Sequence, residues 1–127
     1  THWDLKKGTP YVIGCSTELE QLIESEQIHK GITATAGGFY GPQGRVLRLG
    51  IQDSALNSKM DSFSFEGHRI TNIEMETSAI YGLGKLLGHH CLSMNAIIAN
   101  RANGTFSQDP YKAVDELILY TLNKLAQ

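Results

Sequence analysis

Residues 72–88, NIEMETSAIYGLGKLLG, decide how the chain folds, because the hydrophobic period changes inside them. From Glu74 onward, Met75, Ala79, Leu83, Leu86 and Leu87 recur at helical spacing, and Gly88 suits a helix C-cap. The pattern predicts a helix that opens at Glu74. The neighbouring segments read as strands. GITATAGG (31–38) is β-branched and alternating until two glycines break it, and CLSMNAIIAN (91–100) is apolar enough for a buried strand. Further out, TPYVIGCS (9–16) reads as another short buried strand. Thr17 and Glu20 then have capping-box spacing, with Leu19, Leu22 and Ile23 as a helical stripe. Asp109 and Pro110 suit the start of a last helix whose inner face is Val114, Leu117, Ile118, Thr121, Leu122 and Leu125. FYGPQGR (39–45) is a loop, and residues 46–69 read as an irregular excursion with one short helix near Lys59. The order strand, helix, strand, loop, helix, strand, helix is α/β, with a mostly parallel or mixed sheet flanked by helices.

The bulk numbers exclude several classes. A chain of 127 residues is one domain by length, and 41% apolar residues can supply a core. The net charge is −2 with both signs dispersed, so neither a nucleic-acid partner nor a membrane surface is expected. No apolar run is long enough to span a bilayer and no secretory leader is expected. Cys15 and Cys91 lie in apolar stretches, as buried free thiols in a reducing compartment do, which points to the cytoplasm. The first residue is Thr1 rather than Met, as in a processed chain or a piece of a longer one.

Other apparent motifs carry little chemistry. The glycines of GLGKLLG (82–88) fall inside or at the end of a helix, so they suit close packing and capping rather than a phosphate loop. NGT (103–105) reads as a turn rather than a glycosylation acceptor. The five histidines show no ligand spacing, so no metal site is expected. No Gly-x-Ser-x-Gly and no obvious Cys/His nucleophile pair is present.

Two polar clusters remain. Glu74 and Glu76 flank Met75 at the start of the expected helix. Acidic residues there complement the helix dipole, worth ~0.3–1 kcal/mol each. Equally, a carboxylate accepts two hydrogen bonds side by side and matches a vicinal diol such as that of ribose, with methionine as an apolar wall for the sugar. Both readings stand on the residues alone. In the second cluster Phe39 can stack on a flat ring, and Gln43 can donate to a carbonyl while accepting from a ring N–H. Arg45 offers a fixed cationic fork to an oxygen that gains charge. The set suits a cyclic imide edge such as that of uracil, and a solvated loop is the alternative.

GITATAGGFYGPQGR (31–45), NIEMETSAIYG (72–82) and AIIANRANG (96–104), in that order, resemble the uridine phosphorylases of the nucleoside phosphorylase family. The resemblance runs over essentially the whole chain but only to the second half of a family member. It implies that residues 1–127 are a single partial domain, the C-terminal nucleoside-binding half of a phosphorylase-like fold. It implies phosphorolysis of uridine to uracil and ribose 1-phosphate. Phe39 would line the base pocket, with Gln43 and Arg45 on the uracil edge and Ile98 and Ala99 as its wall. Arg101 would brace the Gln43–Arg45 loop. Glu76 would hold the ribose hydroxyls, with Met75 against the sugar and Glu74 beside it. Arg45, Gln43 and Glu76 would carry the catalysis. Phosphate is the nucleophile and co-substrate, so no metal or organic cofactor is implied.

The resemblance has departures. Purine phosphorylases of the family usually place an aspartate after the late strand, where this chain has Asn100 and Arg101, which favours uridine. The family's usual proline–glycine order is reversed at Gly41-Pro42. The family's phosphate loop and phosphate-holding arginines lie in its first half, and nothing in this sequence resembles them. The missing N-terminal half is therefore an expected partner, beside a homo-oligomer of dimers assembled into a hexamer, as in the family. Two alternatives stay open: a purine or methylthioadenosine phosphorylase of the same family, and a non-catalytic nucleoside-binding fragment.

Overall fold

A computed structural model describes residues 9–101 and 103–127. Helix α1 spans Thr17–Ile23, strand β1 Ile32–Thr35, helix α2 Leu56–Ser62, strands β2 Ser64–Phe65 and β3 His68–Glu74, and helix α3 Thr77–Leu87. Strands β4 Ala99–Asn100 and β5 Thr105–Phe106 and helix α4 Pro110–Leu125 follow. β3 is the centre of a three-stranded sheet in the order β1-β3-β2, parallel to β1 and antiparallel to β2. The architecture is a mixed α/β sheet with helices, as the sequence predicts.

The central strand is the main departure from that expectation. Residues 68–74 fall where an irregular excursion gives way to the expected helix, yet they form the longest strand among the described residues. The signal lies in Glu66 and Gly67, both at positive φ, 49° and 82°. Two successive left-handed residues close a tight hairpin and turn β2 back into β3. Helix α3 consequently starts three residues later than its apolar period suggests. Glu74 ends the strand and Glu76 is the N-cap. The short helix near Lys59 is present as α2, and Gly88 closes α3 in the left-handed conformation at φ 75°.

The expected strands at 9–16 and 91–100 do not form sheet among the described residues, apart from the two-residue β4 paired with β5. Both segments hold a backbone without helix or ladder, joined where the Ser16 N–H donates to the Cys91 carbonyl at 2.8 Å. Their β-branched, apolar composition encodes burial, and pairing needs neighbouring strands on either side. Residues 91–93 instead dock on α3. The Ser93 N–H donates to the Tyr81 hydroxyl at 2.7 Å, and a Cβ on Gly84 would overlap the Cys91 sulfur. Close packing is therefore what this helical glycine provides.

The core is thin. Ile23 is the one large apolar residue that is buried among those described. The expected inner face of α4 is mostly open, with Ile118, Leu122 and Leu125 more than half exposed, and Leu86 of α3 is 83% exposed. α4 is held to the end of α1 by the Tyr120 hydroxyl, which bonds the Ile23 carbonyl and Ser25. Among the described residues, α1 covers only part of the apolar stripe of α4, with Leu117 and Thr121 half-buried and the rest of the stripe left to solvent. No described helix is long and apolar enough to cross a membrane.

Candidate active site

β1 and β3 run parallel, and Thr35 is in register with Glu74 at their carboxyl ends. In open α/β sheets, ligands bind beyond that edge. Both polar clusters emerge there: the 36–45 loop leaves β1, and Met75 and Glu76 leave β3.

The first cluster answers which of the two glutamates serves structure. The Glu74 carboxylate accepts from the Thr35 hydroxyl at 2.5 Å and from the backbone N–H groups of Glu76 and Thr77, both at 2.6 Å. The Thr35 hydroxyl also accepts from the Ser78 N–H at 3.0 Å. Strand end and helix start are thus riveted together, and two orphan amides of α3 are satisfied. Burial pushes the Glu74 carboxyl up, but these hydrogen bonds outweigh it and hold the group below its ordinary value. Glu76 differs: it is exposed, and among the described residues its carboxylate accepts only from the Met75 N–H, at 3.2 Å. Met75 beside it is also exposed. The structural role at the helix start belongs to Glu74, and the Glu76 side chain is exposed to solvent.

That division gives a pH prediction. A carboxylate with a lowered folded pKa adds stability that is complete above its unfolded value and is lost as pH falls through the folded one. Glu74→Gln is expected to cost about 1–2 kcal/mol at pH 7, near the low end for a hydrogen-bonded charge because the site is partly wet. In urea titrations at pH 7 and pH 3, the gap between wild type and variant should shrink at the lower pH. A gap of the same size at both values would show that the Glu74 charge is irrelevant.

The second cluster is a tight knot around Gln43, which is 97% buried at its place in a 3-10 turn spanning Gly41–Gln43. Its side-chain oxygen accepts from Arg45 Nη1 at 2.6 Å and Arg101 Nη2 at 2.7 Å. Arg101 also donates to the Gln43 backbone carbonyl, and Arg45 to that of Phe39. The Arg45 guanidinium stacks 3.7 Å from the Phe39 ring centre. Burial and the neighbouring Arg45 charge hold the Arg101 pKa down. Since guanidinium groups only donate, the Gln43 oxygen must be the atom they share. Its amide nitrogen makes no hydrogen bond among the described residues and is available to donate. Both lone pairs of its oxygen are taken in this arrangement, so the expected two-way pairing of Gln43 with a base requires one of the arginines to let go.

Sequence reasoning missed the residues that shape this knot. Gly44 sits at φ 73°, and its carbonyl accepts from Asn57 Nδ2 of α2 at 3.2 Å. Asn57 lies in the stretch expected to be irregular, so nothing in its local pattern pointed to the loop. Thr35, which joins the two strand ends, was likewise read only as a strand residue. Ile98 and Ala99 are exposed on the approach to Arg101, and Ala99 pairs with Phe106. The structure thus joins Phe39, Gln43, Arg45 and Arg101 directly. It sets Met75 and Glu76 on the adjacent strand end, and places Ile98 and Ala99 on the segment that delivers Arg101.

The phosphorylase superfamily model matches residues 7–125. The chain belongs to that superfamily. Among solved structures, this chain is similar to a Trypanosoma brucei nucleoside phosphorylase described as showing uridine phosphorylase activity. Identity is 28% and the TM-score 0.78, over 96% of this chain and 45% of the trypanosome one. This chain therefore spans under half the length of that neighbour. No curated protein matches the sequence.

Proposed function

We propose that this chain supplies the base- and ribose-binding half of a uridine phosphorylase, a pentosyltransferase of pyrimidine salvage working in the cytoplasm. The observation that carries the proposal is the Phe39–Gln43–Arg45–Arg101 knot built on the loop that leaves β1, the strand whose parallel neighbour β3 runs out into Met75 and Glu76. Superfamily membership supports the reaction class, and the uridine activity named for the trypanosome neighbour supports the substrate. In phosphorolysis the sugar becomes cationic and the base leaves with negative charge. Arg45 and the Gln43 amide are donors where that base charge grows, which favours the transition state over the substrate. Glu76 holds the ribose diol, Met75 lines the sugar, and Ile98 and Ala99 wall the base. Phosphate attacks the sugar with no metal or organic cofactor. A second half of the fold, from the same or another chain, supplies the phosphate site, and copies assemble as a homo-oligomer.

The test rests on Glu76. In the enzyme completed with its other half, Glu76→Gln should cost ~1.5–3 kcal/mol in kcat/KM for uridine, the scale of a hydrogen bond to a charged group. 2′-Deoxyuridine, with one hydroxyl fewer, should lose less. Equal losses for the two nucleosides would remove Glu76 from the diol.

A further inference from the structure

Arg45 stands where a base would go. Its guanidinium covers one face of the Phe39 ring, and it also occupies one of the two lone pairs on the Gln43 oxygen. These are the two features of the loop suited to a planar imide: a flat apolar face for stacking and an acceptor for a ring N–H. Arg101 is held differently. It grips Gln43 through both the backbone carbonyl and the side-chain oxygen, and has no ring beneath it among the described residues.

We infer that Arg45 is a selectivity gate on the base site, parked on Phe39 when the site is empty and displaced by a base that offers it an oxygen. The inference rests on the proposed uridine function and adds a way of rejecting wrong bases. Leaving the parked position breaks a cation–π contact and hydrogen bonds to Phe39 and Gln43. A base with a carbonyl beside a ring N–H repays all of it. The carbonyl takes the released guanidinium, the ring N–H takes the freed lone pair on Gln43, and the ring takes the face of Phe39. Arg101 stays in place and keeps the Gln43 amide from turning. An adenine ring carries no carbonyl and meets Arg45 only with ring nitrogens and an amine, so displacement is repaid only in part. Selectivity then comes from the cost of opening as much as from the fit of the right ligand.

All four residues lie on this chain, so the test uses the chain itself with uracil and adenine as probes in titration calorimetry. Arg45→Ala should weaken uracil binding at least tenfold while strengthening adenine binding several-fold, because Phe39 is then uncovered. As a second measurement, the side-chain NMR signal of Arg45 in the wild-type chain should move on adding uracil and stay put on adding adenine. Uracil binding with adenine affinity unchanged or lowered in Arg45→Ala overturns the gate alone, as does an Arg45 signal that uracil leaves unmoved. A wild-type chain that binds neither uracil nor uridine overturns the base site and the gate together.

Discussion

The chain on its own is expected to release no uracil from uridine and phosphate, and to gain both turnover and stability when the other half of the fold is supplied. Its described surface explains the second part. Leu83, Leu86 and Leu87 on α3 and Ile118, Leu119, Leu122 and Leu125 on α4 are all more than half exposed. Burying one such side chain is worth ~1.5–3 kcal/mol relative to leaving it in water. Tyr11, Ile13, Ala79, Gly82, Leu83 and Leu86 also line an open, almost wholly apolar groove between residues 9–14 and α3. A covering layer that fills it should raise the urea midpoint strongly and suppress binding of a hydrophobic dye. The first part follows from the absence of any stretch resembling the family's phosphate loop. The measurement is uracil release by the chain, verified alone by intact mass, and then by the chain expressed together with the first half of a uridine phosphorylase. Robust turnover by the chain alone would overturn the division of labour proposed here.

Gly44→Ala is expected to cost the base site ~10–100-fold in uracil affinity, far more than one methyl group suggests. An alanine at φ 73° pays ~1–2 kcal/mol for its left-handed backbone. Its Cβ would also overlap the Asn57 side-chain oxygen, so Asn57 must move and give up its bond to the Gly44 carbonyl, a further ~0.5–1.5 kcal/mol. Gln43 and Arg45 flank this residue and would lose their common geometry. Asn57→Ala alone should be mild, a few-fold. The double variant should fall little below Gly44→Ala, because the alanine has already expelled the asparagine. Fully additive losses would show that Asn57 and Gly44 do not act through one another.

What was legible in the sequence follows from what each residue reports. Local signals gave the helix after residue 16, the short helix near Lys59, the Gly88 stop and the Asp109-Pro110 start of α4, although α1 is capped by Ser16, whose hydroxyl accepts from the Leu19 N–H, and not by the expected Thr17. The Phe39–Arg45 cluster was legible because its residues lie within one loop. Three things were not. β3 was hidden because its alternation is interrupted by polar Asn72 and its boundary is set by a two-residue turn. The ladders expected at 9–16 and 91–100, of which only Ala99–Asn100 form, depend on neighbours that local composition does not specify. The separate fates of Glu74 and Glu76 turn on Thr35, which is 39 residues before Glu74 and bonds its carboxylate. Sequence spacing within the Glu-Met-Glu triplet makes the two carboxylates look alike.

The rivet at Thr35 has a consequence for anyone who would re-engineer the substrate range. The loop proposed to face the base begins directly after this residue, and the carboxylate proposed to hold the ribose sits two positions beyond the glutamate it holds. On that proposal both halves of a nucleoside would be measured from a single datum, as two tools are from one jig. A loop grafted between Gly37 and Arg45 to accept another base would inherit the correct offset to the sugar without any adjustment at Glu76. Thr35→Val keeps the shape of the side chain but removes the hydroxyl, so it would let the two drift independently. Variants meant to change the base alone should leave Thr35 and Glu74 untouched, and libraries that randomise Thr35 should scatter sugar and base preferences together.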